Sequence, residues 1–364
     1  MLALLLFLPG VVSSGRAESL ADQIGFEKLE ELGKSVDGFD ARAIFEALMA
    51  GRAIPDTEAL EDLLPRLRRG LREALTGLLR RLAVPVAVAL IARAMLSDGS
   101  PDAQALSLIC RAALLRTLIG EVTSALASAL DVMTRVTKAS DGVMPVMLSA
   151  LTLSGMPNTA ALLSPASALC AALIGRVLKA AVPALCAVGL AITVAGGLSD
   201  RYAMDRLFGL IRAVGRGLPA VLLAAFMALL TLEGRVGAAQ DSAAVKTVRF
   251  AVENLLPVIG GELSGTVESL SASASVVRSA AGGTGLALIA ALFAGPMARL
   301  LTRTLAVKLA AAILEPLSDQ GFSKALDRAG DVLEILLASA VASVALVMLL
   351  IGAGMTVAGQ LIAG

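Results

Sequence analysis

Residues 253–270 read ENLLPVIGGELSGTVESL, and residues 141–155, DGVMPVMLSALTLSG, are a loose copy of them. In each, an acid (Glu253, Asp141) stands four positions before a proline (Pro257, Pro145), and apolar and small residues follow. Each stretch leads through a long apolar segment to the same triplet, Leu198-Ser199-Asp200 after the first copy and Leu317-Ser318-Asp319 after the second. That order predicts an internal duplication, with repeats over about 130–232 and about 245–358. Acid, proline and the paired glycines Gly260 and Gly261 within apolar sequence predict helix interruption at membrane depth, where irregular backbone is tolerated only against protein or a water-filled cavity. Turn chemistry alone reads the same residues as a pair of loop turns.

Composition sets the solvent. The chain is 57% hydrophobic and 17% charged, with a mean hydropathy of +0.82, where soluble domains carry about 25% charge. The fold class is therefore all-α: a polytopic membrane helix bundle with interrupted helices and a small N-terminal helical extracytoplasmic domain. A net charge of +1 and 3% aromatic residues exclude a nucleic-acid binder, which needs a basic surface and stacking platforms. Histidine is absent, which removes the commonest general base and metal ligand, so neither catalysis, a cofactor nor a metal is expected. Cys110, Cys170 and Cys186 fit no zinc or redox spacing and read as structural thiols.

Residues 1–17, MLALLLFLPGVVSSGRA, have an apolar core followed by small residues and read as a signal peptide, although without its usual basic start; a short uncleaved anchor is the alternative. Residues 18–81 then form the extracytoplasmic part. Within it Asp40 is an N-cap, Phe39 before it can staple onto Ile44, and Gly51 supplies a C-terminal stop. A leucine helix follows whose remaining face is crowded by Arg66, Arg68, Arg69, Arg72, Arg80 and Arg81, suited to anionic headgroups or to plain solvation.

Residues 82–364 make the multi-span domain. Apolar runs over 180–198, 217–232, 279–298 and 335–358 approach the roughly 20 residues that cross a bilayer. Weaker runs are 82–97, with Arg93, and 103–120, with Arg111 and Arg116. Residues 142–175 carry no charge but are broken by Pro145, Pro157, Asn158 and Pro165; they predict a hairpin, crossing or re-entrant. Basic stretches at 199–216 and 299–308 predict cytoplasmic placement, and 233–278 belongs outside.

These residues resemble the stage III sporulation protein AE family over roughly residues 36–357. The likeness is carried by the Phe39-Asp40 helix, the arginine-rich leucine helix, the Pro157-Asn158 hairpin ending at Ser164-Pro165, Leu198-Ser199-Asp200-Arg201, VRFAVENLLPVIGGELSGTVESL at 248–270 and KLAAAILEPLSDQGFSKALDRAGD at 308–331. The resemblance implies a place in the mother-cell membrane around the forespore, in a channel or secretion-like complex. The partners it implies are the other membrane and ring proteins of the stage III sporulation A operon, an ATPase of that operon and stage II sporulation protein Q.

Two functions compete. A conduit or permease-like subunit would use the interrupted segments, with Asp141, Pro145, Pro157, Asn158, Glu253, Asn254, Pro257, Gly260 and Gly261 at the breaks and Arg176, Lys179, Lys308 and Glu315 as charges near the cores. A scaffold would instead anchor the ring-forming subunits, with Phe39, Asp40 and Gly51 as its assembly helix. Ser199, Asp200, Ser318 and Asp319 read as loop or capping residues.

Overall fold

The computed structural model describes residues 21–34 except 23, 39–50, isolated helical positions between 72 and 87, 101–198, 204–255, 260–314 and 320–356; over 241–255 and 260–275 it describes the helical backbone. Among the described residues eight α-helices follow in order: α1 (Glu27–Gly33), α2 (Ala41–Met49), α3 (Pro101–Leu153), α4 (Pro157–Ala172), α5 (Lys179–Leu198), α6 (Asp205–Leu255), α7 (Gly260–Leu314) and α8 (Gln320–Thr356), with a π-helical segment, Leu173–Leu178, joining α4 to α5. Among the described residues all regular structure is helical.

Helix α8 is the axis. It packs against α3, α5, α6 and α7, and Leu326, Leu336, Ala340, Leu346, Val347, Leu350 and Ile351 are fully buried along it. Glycines set how closely its neighbours approach. A Cβ on Gly215 of α6 would lie 2.5 Å from Ile335, and one on Gly189 of α5 2.9 Å from Val332. Gly282 and Gly285 of α7 face Met355 and Ile351 near the far end of α8, whereas Gly330 of α8 faces Lys308. Small residues at such crossings let backbones meet closely. These pairings fix direction: α7 and α5 run antiparallel to α8, and α6, which pairs Asp205 with Arg328 and Gly215 with Ile335, runs parallel to it.

Helix α3 also runs parallel to α8. Arg303 of α7 donates to Ser124 and Ser128 of α3 at one end, and Gly285 and Gly282 meet Val143 and Met147 at the other. Residues 124–147 of α3 therefore lie beside the apolar stretch of α7. The breaks expected at Asp141 and Pro145 are corrected here, because both residues lie inside a continuous helix; the expected hairpin keeps its turn before Pro157-Asn158, since α3 runs parallel and α5 antiparallel to α8. Pro145 sits on the exposed side of α3, where its missing N–H costs a single backbone bond.

The interruption comes at Ser154–Met156. Gly155 has φ +76°, its N–H donates to the Thr152 carbonyl at 3.1 Å, and the Met156 N–H donates to the Leu151 carbonyl at 3.1 Å. This paired pattern closes a helix with a left-handed glycine, and Pro157 follows as the first residue of the next one. Buried Leu151 and Met156 supply the apolar contact that accompanies it.

From Pro157 the chain stays helical to Leu198, so the second arm of the expected hairpin and the span 180–198 are one element. Its buried residues Ala166, Cys170, Ile174, Leu178, Val182 and Cys186 recur every four positions. With 3.6 residues per turn, a strict four-residue repeat drifts about 40° per step around an α-helix. The wider π turns absorb the surplus and hold the stripe on one face.

Among the described residues four helices are long and apolar enough to cross a membrane: Pro157–Gly196, Asp205–Glu233, Val276–Ile313 and Ser323–Met355. They contain the runs expected at 217–232 and 279–298 and overlap those expected at 180–198 and 335–358. The run 82–97 lies outside the described residues.

Helices α1 and α2 share the bundle's core. Phe26 and Phe45 pack with ring centroids 4.8 Å apart, Leu32 presses on Gly142 of α3, and Leu48 presses on Gly283 of α7. Asp40 caps α2, its Oδ1 accepting from the Arg42 and Ala43 N–H groups at 3.0 and 3.1 Å.

Candidate functional site: a charged clasp and a polar outer face

Two polar features stand out against this apolar frame. The first joins α6, α7 and α8 near the start of α8. The Asp331 side chain, only 4% exposed, meets Arg212 at 3.2 Å, Arg216 at 3.1 Å and Lys308 at 3.6 Å. Glu334 accepts from Arg216 at 2.6 Å and from Lys308. One turn earlier Arg328 pairs with Asp205, lies 5.6 Å from the centroid of the Phe208 ring, and occupies the space a Cβ on Gly196 would fill. Lys324 stands 3.9 Å from the same Asp205. A buried carboxylate with three cations satisfies charges that would be costly alone, and the cluster clasps α6, α7 and α8 together.

The clasp and the α1–α2 pair are at opposite ends of the bundle. Asp331 and Met355 are 24 residues apart in α8, about 36 Å at 1.5 Å per residue, slightly more than a ~30 Å hydrocarbon layer.

The second feature is the outer face of α3. Val122, Ala125, Ala129, Val132, Val136, Ala139 and Val143 are buried against the bundle. On the opposite side Asp131, Thr134, Arg135, Lys138 and Asp141 are exposed. Asp131 and Arg135 pair at 2.8 Å across one turn. This face lies between the Arg303 and Gly282 contacts and therefore at the depth of the apolar helices. Near its end Arg278, 3% exposed, donates to the Met156 sulfur at 2.6 Å, tying α7 to the turn that closes α3.

The sequence-predicted residues are scattered among these features. Asp141 is exposed on α3, Pro145 lies within it, and Pro157 and Asn158 open α4. Glu253 and Asn254 fall in the last turn of α6, and Gly260 and Gly261 begin α7. Charges flank that junction on both sides: beyond Glu233 the helix carries Arg235, Asp241, Lys246 and Arg249 before Glu253, and α7 carries Glu262 and Glu268 before its apolar part. Pro257, Ser199, Asp200, Ser318, Asp319, Glu315 and Gly51 lie outside the described residues. The two triplets nonetheless fall in matching places, between α5 and α6 and between α7 and α8. Phe39 and Asp40 precede α2, with Phe39 against Gly33.

Sequence reasoning missed Asp205, Arg328, Asp331, Glu334 and the α3 face. A signal for the first group was present: Lys324, Arg328, Asp331 and Glu334 recur at four- and three-residue intervals, one helical stripe directly ahead of an apolar run.

The stage III sporulation protein AE of Bacillus subtilis (strain 168) is 25% identical over 175 residues, covering 48% of this chain and 44% of that protein, so the match spans under half the length of the relative. No solved structure matches. The family model described as stage III sporulation protein AE matches residues 43–359, from α2 through the end of α8, and the chain belongs to that family.

Proposed function

We propose that this sporulation protein is a membrane subunit of the complex joining mother cell and forespore, and that it supplies one wall of a conduit formed between chains. The observation that carries the reading is the α3 face. An amphipathic helix with Asp131, Arg135 and Lys138 pointing away from the bundle at the depth of α7 and α8 cannot face hydrocarbon without large cost. Water or another subunit must cover it. Since α8 fills the axis, the polar surface for a path lies on the outside of the chain. In this reading the arginine-rich end faces the mother-cell cytoplasm, where the operon's ATPase works. The α1–α2 end faces the intermembrane space, toward the ring-forming proteins and stage II sporulation protein Q.

The test is cysteine scanning of residues 127–138 in membranes of sporulating cells, using a charged maleimide. Labelling at 131, 134, 135 and 138 but not at 129, 132 or 136 is the expected pattern. Protection of the outer positions in the assembled complex, lifted when the ring-forming partners are deleted, favours the scaffold reading, in which another subunit covers α3.

A further inference from the structure

The helix Pro157–Gly196 carries a cation at its midpoint. Arg176 stands 19 residues after Pro157 and 20 before Gly196, and Lys179 follows within a turn. Arg176 is exposed and Lys179 half-buried, and among the described residues neither is paired with a carboxylate. Around them the outer surface is unlike that of α3. Ala168, Leu169, Ala180 and Ala184 are exposed, so this face is apolar and mostly alanine apart from the two cations. The middle of a hydrocarbon layer is about 15 Å from either interface, beyond the reach of an arginine side chain. A charge at that depth needs a partner or water, and an alanine face offers water nothing to bind.

We propose that this face docks a membrane-spanning helix of a different subunit that carries an aspartate or glutamate at mid-depth. The guanidinium of Arg176 would take the carboxylate through paired N–H donors, with Lys179 as an additional donor. The flanking alanines would let the two helices approach closely. A second copy of this chain is disfavoured because a two-fold contact sets the same patch against itself, cation facing cation. The proposal rests on the reading that Pro157–Gly196 crosses the bilayer.

Dicyclohexylcarbodiimide applied to membranes of sporulating cells tests it. The partner carboxylate, with one proton from the medium, adds to the carbodiimide to give an O-acylisourea, and the Lys179 amine, having lost a proton to the medium, displaces the dialkylurea. An amide remains, with net loss of one water. The expected result is a covalent adduct between this chain and another polypeptide, absent in Lys179→Arg, retained in Lys324→Arg, and lost in Arg176→Glu but kept in Arg176→Lys. An adduct to a second copy, to an acid of the same chain, or no adduct at Lys179 overturns the proposal. The underlying span reading fails separately: Arg176→Cys reacting with a membrane-impermeant maleimide would place residue 176 in water, whereas an unreactive cysteine without a Lys179 adduct removes the docking proposal alone.

Discussion

Helices α3 and α8 lie side by side, run in the same direction and cover the same depth, yet they solve the solvent problem in opposite ways. Helix α8 is apolar along its length, mostly buried, and keeps its charges at one end, where Arg212, Arg216 and Lys308 close on them. Helix α3 buries a stripe of valine and alanine and spreads its charges down the opposite side. The difference teaches that depth and apolarity are separate properties. An apolar helix declares that it meets lipid or protein on all sides, whereas a helix at equal depth can be half polar if something other than lipid covers it.

The strongest way to break this contrast is to remove a carboxylate from each helix. Asp331→Ala strands three cations at the clasp and is expected to cost about 3 kcal/mol, as losing one partner of a buried ion pair does. Asp131→Ala removes an exposed pair and is expected to cost under about 0.5 kcal/mol. Thermal unfolding of the purified protein in detergent checks both, and equal losses would erase the distinction between the helices. Gly282→Val acts on the shared neighbour α7, where a side chain would overlap Met355 and crowd Met147. A loss of about 2 kcal/mol is expected from overpacking, recovered in part by Met355→Ala. Gly155→Ala forces a Cβ into a left-handed conformation at the end of α3 and should cost about 1 kcal/mol, with helix content unchanged by circular dichroism. Asp40→Ala removes the two N–H acceptor contacts of the α2 cap. It should cost about 1 kcal/mol, read as faster proteolysis of the α1–α2 region with the bundle intact.

The same contrast explains what the sequence made legible. Helix α8 and the apolar parts of α5, α6 and α7 were readable because every position in them answers to one solvent. Helix α3 was not, since its apolar stripe is diluted by Asp131, Arg135 and Lys138, and a run of uncharged residues further on drew attention to 142–175 instead. Prolines misled for a local reason. Pro145 and Pro165 both sit on exposed sides of continuous helices, whereas the chain stops where Gly155 permits a left-handed residue, and SGMPN at 154–158 spells that stop. The clasp was hidden differently: its members come from three helices, more than a hundred positions apart between α6 and α8, and no local pattern pairs them. Asp40, a cap formed with its own next residues, needed no such knowledge.

The axis of the bundle is also the last of the described helices to be synthesised. While the chain emerges, α3 through α7 are made without the element that fills the space between them. Arg212, Arg216 and Lys308 await Asp331 and Glu334, and the glycine faces of α5, α6 and α7 await Val332, Ile335 and Met355. Chains build from the N-terminus, and half-made bundles expose surfaces that bind indiscriminately. An arrest or truncation before residue 320 would thus release a protein with most of its length and none of its centre, and the helix with the most neighbours becomes the checkpoint for completion.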